Sequence, residues 1–383
     1  MTGLHELLES SVDDGSVPGA VALVTRGGRA EVVAAGFADV EHTTPMARDS
    51  IFRIASITKP IGAAAVMMLI EDGVIALDDP VGRWLPELAA PKVVRTPDGP
   101  IDDVVPAARP ITVFDLLSSR AGYGFTSDFA QPAVAALFDE VQRDGLFPQL
   151  LPEPDAWMAA LARIPLVYQP GEAWLYNTTS ELHGVLVARA SGRSLPEFLA
   201  ERIFEPLGMA DTGFVVPAAK RDRFTSSYRR DSDGKLVLID QPDGRWSSMP
   251  AFPSAAGGLV STVDDWYAFG RMLLTGGTTA DGRSLLSAES IRLMTTDHLT
   301  QWQREFGKLF LEGQGWGFGG SVDVAPIDPW NVAGRYGWVG GSGTMAHVVP
   351  STGQIAILFT QVAMDSPVPP PLMRDFWRYA ADA

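Results

Sequence analysis

The stretch "IASITKP" (residues 54–60) runs straight into "IGAAAVMMLIEDG" (61–73), so a serine and a lysine three residues apart open an apolar run. That run predicts a helix, and on a helix residues three apart share a face. Ser56 and Lys59 then stand one turn apart at its start. A serine hydroxyl is a poor nucleophile until a neighbouring base takes its proton. Burial disfavours an ammonium and lowers a lysine pKa, which makes a desolvated Lys59 a candidate for that base. Pro60 opposes a regular turn here unless it occupies the first turn of the helix. Alone, Ser-x-x-Lys arises often by chance, and a solvated lysine near a helix start is its ordinary reading. The rest of the chain has to decide between the two.

The composition narrows the field. With 383 residues, 46% of them hydrophobic and 20% charged, the chain can build one large domain or two moderate ones around an ordinary core. A formal net charge of −16, with no basic run, argues against a nucleic-acid partner, which needs clustered Lys and Arg to replace counterions. Zero cysteines exclude disulfides, thiolate metal sites and a cysteine nucleophile. The five histidines, His5, His42, His183, His298 and His347, show no His-x-x-x-His spacing, and neither a metal nor any other cofactor is expected. The N-terminal "MTGLHELLESSVDDG" has no basic region followed by an apolar one, so the sequence reads as lacking a secretory signal, and a cytoplasmic location is expected. The longest apolar run, "IGAAAVMMLI", falls short of the roughly eighteen residues of a membrane span.

Along the chain, a short helix up to Ser10 precedes "GAVALVTRGGRAEVVAAGFADVE", two Val/Ala-rich runs broken by Gly27-Gly28, which is a hairpin signal. The middle is proline-rich, with helical pieces at "TVFDLLSSRAG", "DAWMAALARI", "SELHGVLVARASG" and "LPEFLAERIFEPLGM" and no strands predicted between them. "APKVVRTPDGPIDDVVPAARP" is the least structured part by composition. Beyond about residue 250, "STVDDWYAFGRMLLTGG", with Ser261 or Thr262 as N-cap, and "SAESIRLMTTD" read as helices. Strand-like runs follow at "GWGFGGSVDVA", "RYGWVGGSG", "MAHVVP" and "GQIAILFTQ", and "PPLMRDFWRYAADA" closes the chain as a helix. The expectation is an α/β domain built from both termini, residues 1–75 and 245–383, with a mainly helical domain, 76–244, inserted and the active site between them.

Ser-x-x-Lys accompanied by later motifs marks the serine β-lactamases and penicillin-binding proteins. Two stretches supply altered versions of those partners. "QPGEAWLYNTTSELHGVLVARASG" (169–192) resembles the tyrosine segment of the class C β-lactamase and family VIII carboxylesterase group, with Tyr176 in the tyrosine's place. Where that group has Tyr-x-Asn, Thr178 stands third and the amide comes one place earlier, at Asn177. "RYGWVGGSGT" (335–344) puts Trp338-Val339-Gly340 where β-lactamases carry Lys-Thr-Gly. Further stretches, among them "ITVFDLLSSRAG", "IFEPLGMADTGF", "SAAGGLVSTVDDWYAFGRMLL" and "GWGFG", are similar to the same superfamily in the expected order, so the resemblance covers nearly the whole chain.

The resemblance implies a β-lactamase/transpeptidase-like α/β fold, an antiparallel sheet flanked by helices plus an all-helical domain. It implies Ser56 as nucleophile, Lys59 as base, and Tyr176 as a proton shuttle whose pKa the lysine ammonium would lower. The amides of Ser56 and Gly341 would form the oxyanion hole, and Trp338, Val339, Gly340, Asn177 and Thr178 would contact substrate. A tryptophan offers no cation for a substrate carboxylate, so an ester lacking one is favoured, as in family VIII carboxylesterases. Arg335 and Arg53 are the candidates to restore that charge. The small-molecule partner is therefore an ester, with β-lactams as a second class. The alternatives are a β-lactamase or D-amino-acid peptidase, an acyltransferase on the same acyl-enzyme, and a non-catalytic sensor that keeps the scaffold. Trp174, Trp316 and Trp338 are candidates to line an apolar pocket, although core packing explains a tryptophan equally well. His347, close to the third motif, is a further candidate at the site. "GWGFGG" (315–320) matches Gly-x-Gly-x-x-Gly but has no helix after it, so it is set aside as a dinucleotide site.

Overall fold

The computed structural model describes residues 3–141 and 147–382. Its centre is a seven-stranded sheet of β1 (Gly19–Arg26), β2 (Arg29–Gly36), β3 (Gly315–Trp316), β4 (Ser321–Val322), β5 (Tyr336–Gly340), β6 (Thr344–Val349) and β7 (Gln354–Thr360), in the order β2-β1-β7-β6-β5-β4-β3. All of its pairings are antiparallel, and β1 lies beside β7 with Leu23 opposite Ile357, so strands from both ends of the chain share one sheet. Gly27 and Gly28 both take positive φ, 53° and 79°, which the two-residue hairpin turn between β1 and β2 requires.

The apolar run of β1 follows from cover on both faces. Val21 and Leu23 join the large core on one side, while Ala20, Ala22 and Val24 join a second cluster on the other. The second cluster lies under α1 (Leu4–Asp13) and α5 (Pro371–Ala381), which contribute Leu4, Leu8, Phe376 and Trp377. The large core holds α2 (Lys59–Glu71), α3 (Thr178–Ser191) and α4 (Val263–Leu274). Every residue of α2 from Lys59 to Leu69 is buried, and a Cβ on its Gly62 would stand 3.2 Å from that of Ala255. Among the described residues, no helix is long and apolar enough to cross a membrane.

The middle of the chain departs from the expected all-helical reading. Lys92–Val94 pairs with Val104–Pro106, and Ser227–Arg230 pairs with Leu236–Asp240. The first pair lies inside the segment whose composition looked least structured. Its turn residues dominate the composition, while short Val-Val runs at each flank form the ladder. The first helix extends past Ser10 to Asp13, and a helix over Pro132–Val141 was not anticipated.

Arg335 and Asp323 form a buried ion pair, Nε to Oδ2 2.8 Å, at the start of β5. Removing one partner of such a pair leaves an uncompensated buried charge, which costs about 3–5 kcal/mol. Asp323→Ala should therefore lower the free energy of unfolding by that amount, read as a lower urea midpoint with an unchanged m-value.

Candidate active site

Ser56 is held from two sides. The short strand Phe52–Arg53 pairs with Val260–Ser261, and a 3₁₀ turn over Ala55–Thr58 then leads into α2. Pro60 does fall in the first turn of α2, so the sequence conflict at that position resolves. On the other side, the turn from β5 into β6 packs against the same chain. Ser342 Oγ donates to Arg53 O at 2.5 Å and Thr344 Oγ1 donates to Ile54 O at 2.9 Å. A Cβ on Gly340 would stand 2.5 Å from Ile54 O, so only glycine permits this approach. Ala55, just before the serine, has φ 42°, a left-handed conformation costly for a residue with a Cβ and of the kind that clusters at functional sites. Gly319, from the set-aside glycine run, has φ 78° and would place a Cβ 2.5 Å from Lys59 O; its role is close packing beneath α2.

Three side chains converge on the serine. Lys59 Nζ donates to Ser56 Oγ at 2.8 Å and to Ala256 O at 2.7 Å. Tyr176 OH donates to Ser56 Oγ at 2.8 Å, and Trp338 Nε1 donates to Tyr176 OH at 2.8 Å. Lys59 Nζ lies 4.8 Å from the centroid of the Tyr176 ring. Burial pulls the Lys59 amine down to about 7, against the opposing pull of the Glu181 carboxylate. For Tyr176 the expected lowering is corrected: burial pushes the phenol up, and hydrogen bonds with Ser56 and Trp338 offset only part of the rise. Desolvation outweighs those hydrogen bonds because a buried phenolate loses its hydration.

The remaining candidates separate. Trp338 is 3% exposed and is turned to Tyr176, so its ring is mostly wall rather than open contact surface. Val339 alternates to the opposite face and packs against the cluster beneath the terminal helices. Gly341 is half-buried at the end of β5, where its carbonyl accepts the Met364 amide at 2.8 Å. Asn177, with φ 79° and ψ −60°, begins α3 without a side-chain cap and is half-buried beside Tyr176. Thr178 is fully buried, which corrects its assignment to substrate contact and leaves Asn177 as the accessible amide. His347 is also corrected: it packs edge-on against Trp377, ring centroids 5.8 Å apart, in the layer of the terminal helix. Arg53 and Arg335 are likewise withdrawn as substitute cations, since each is buried against its own aspartate, Asp240 and Asp323.

Trp174, Trp316 and Trp338 form one packed cluster with Tyr176, Trp316 meeting Trp338 edge-on at 4.8 Å. Phe310 stacks on Tyr176 at 4.8 Å and is half-buried, so it presents aromatic surface that the sequence reading missed. Sequence reading also missed Glu181, Ser254 and Ala256: they lie inside family-like stretches, but nothing in the spacing shows that they meet Lys59 in space. Among the described residues, no group of His, Cys, Asp and Glu could hold a metal ion.

This fold and this Ser–Lys–Tyr cluster define a chain of the serine β-lactamase type. The chain belongs to the Beta-lactamase family, whose model matches residues 4–374. It is similar to protein Rv1367c of Mycobacterium tuberculosis, 38% identical over 378 residues, which cover 95% of this chain and 91% of that one. It is also similar to esterase EstB of Burkholderia gladioli, 32% identical over 284 residues, 68% of this chain and 67% of the esterase. Among solved structures it matches EstCE1, titled a hydrolase with promiscuous acyltransferase activity, with a TM-score of 0.79 at 24% identity, covering 98% of this chain and 97% of that one. The family is one of serine hydrolases, with esterases and acyltransferases among the relatives of this chain.

Trp338→Phe keeps the ring bulk but removes the donor to Tyr176. Losing one such hydrogen bond costs the folded state about 1 kcal/mol, so the free energy of unfolding should fall by about that much, and labelling of Ser56 should slow by up to about fivefold if the transition state depends on the same bond. Fluorophosphonate labelling kinetics alongside a denaturant melt check this.

Proposed function

We propose that the chain is a serine carboxylesterase that hydrolyses small to medium carboxylic esters through an acyl-enzyme on Ser56. The observation that carries the reading is the convergence of Lys59 Nζ and Tyr176 OH on Ser56 Oγ, each at 2.8 Å, with Trp338 where the family's cationic motif has lysine. EstB, an esterase by name, is 32% identical over two thirds of the chain and supports the ester over the lactam.

The chemistry follows from the two opposite pKa shifts. Lys59, neutral above about 7, takes the Ser56 proton as Oγ bonds to the ester carbonyl carbon. We assign the stabilisation of the oxygen on which negative charge develops to the backbone amides of Ser56 and Gly341. Tyr176, kept protonated by burial, gives its proton to the departing alcohol oxygen as the C–O bond breaks. The ammonium of Lys59 then stands beside the phenolate. Water adds to the acyl carbon and returns a proton to Tyr176, Lys59 returns its proton to Ser56 Oγ, and the carboxylic acid leaves. Arg53 and Arg335, committed to buried ion pairs, give no help with a substrate carboxylate, which favours plain esters over β-lactams and D-alanyl peptides.

Ser56→Ala should abolish both fluorophosphonate labelling and turnover of p-nitrophenyl acetate and butyrate. Wild type should turn over these esters faster than nitrocefin, and an added alcohol that captures the acyl group would shift the reading towards acyl transfer. With Lys59 active as the free amine, kcat/KM should fall tenfold per pH unit well below about 7 and level off above it. A wild-type protein that neither labels nor turns over would make this scaffold a binding protein.

A further inference from the structure

Glu181 is a buried acid that the proposed chemistry leaves unused. It lies on α3 five residues beyond Tyr176 and is 4% exposed. Its Oε1 accepts a 2.8 Å hydrogen bond from Ser254 Oγ, whereas the buried Oε2 has no hydrogen-bond partner. Ser254 Oγ also accepts the Gly257 amide at 3.0 Å, and Ala256 O accepts Lys59 Nζ at 2.7 Å. Glu181 and Lys59 therefore grip the same turn, residues 254–257, from two sides. A carboxyl buried with one oxygen unpartnered costs folding free energy.

We infer that Glu181 is a positioning residue that sets the charge of Lys59 across the Ser254–Gly257 turn, and so sets the pH at which Ser56 becomes nucleophilic. The inference rests on the reading of Ser56 and Lys59 as nucleophile and base. An ionised Glu181 supports the lysine ammonium, and a protonated Glu181 withdraws that support. Burial raises the Glu181 carboxyl well above the usual range, with Ser254, Lys59 and the Ala256 backbone opposing the rise. Both groups thus change charge in the neutral region, each biasing the other.

The other titratable groups facing this pair do not change charge there. Tyr176, just ahead of α3, is pushed up by burial, and His183, on α3 itself, is pushed down by burial to about 4 with Lys59 adding to the fall. The 254–257 turn carries Ser, Ala, Ala and Gly, and the facing part of β5 carries Trp338. Among the described residues facing this pair, Lys59 and Glu181 are left to shape the acid limb.

The test is the rate of Ser56 labelling by a fluorophosphonate, read by intact mass from pH 5 to 9 on the full chain. This readout needs no knowledge of the natural ester. In Glu181→Gln the carboxylate that supports the ammonium is gone, so the acid limb should move to lower pH by about one unit, a tenfold change in the free-amine fraction well below the midpoint. Ser254→Ala removes a hydrogen bond that favours the ionised carboxylate. It should move the limb in the same direction by a smaller amount, and it carries the test if Glu181→Gln does not fold. A limb that stays in place while the rate falls would make Glu181 structural and overturn the inference, as would a limb that moves up. A wild type that fails to label at every pH would overturn the Ser56 reading itself, and the inference with it. Wild-type labelling with an unmoved limb in the variants would overturn the inference alone.

Discussion

Lys59 has no exposed surface, yet its amine must be hydrogen-bonded wherever it lies. It opens a helix that is apolar from Pro60 to Ile70, and its two partners are Ser56 Oγ and Ala256 O. Burial both lowers its pKa and forbids it to swing into water, so one structural choice yields an amine of lowered pKa and fixes its direction towards Ser56 Oγ. The surrounding glycines answer to the same constraint. Gly319 comes up beneath the Lys59 carbonyl and Gly62 lets α2 close onto Ala255, contacts that a larger residue would have to push apart.

The second half of the site is a strand end clamped to the chain that leads into the serine. The Ser342 and Thr344 hydroxyls bind consecutive carbonyls, those of Arg53 and Ile54, and Gly340 allows the close approach. Because β5 also carries Trp338, the same clamp delivers the indole N–H to Tyr176. Positioning by backbone carbonyls is rigid, since these groups cannot rotate away as side chains do. The left-handed Ala55 and Asn177, which flank Ser56 and Tyr176, fit a site in which backbone strain is held by the packing around it.

Much of this was legible from spacing. Ser56 and Lys59 stand together because three residues make nearly one helical turn, and the β1–β2 hairpin is written in Gly27-Gly28. The order of the motifs pointed to the family and to Tyr176 and Trp338. What misled was chemistry that depends on surroundings. Tyr176 was expected to be acidic because a lysine is near, but burial pushes the phenol up and outweighs its hydrogen bonds to Ser56 and Trp338. His347 and the two arginines are close in sequence to the motifs, and alternation along a strand or pairing with a distant aspartate carries them elsewhere. Thr178 follows Tyr176 by two residues yet is swallowed by the start of α3.

The sequence by itself determined the local partners: the serine–lysine turn, the glycine hairpin, the tyrosine ahead of a helix and the glycine-rich strand end. These depend on periodicity and backbone freedom, which operate over a few residues. Only the tertiary structure decided that Trp338 hydrogen-bonds Tyr176 across 162 positions, that Ser254 holds Glu181 across 73, and that Ala256 receives the Lys59 amine across 197. Those contacts set the protonation of the site, because desolvation and charge coupling depend on distance in space and are blind to distance along the chain.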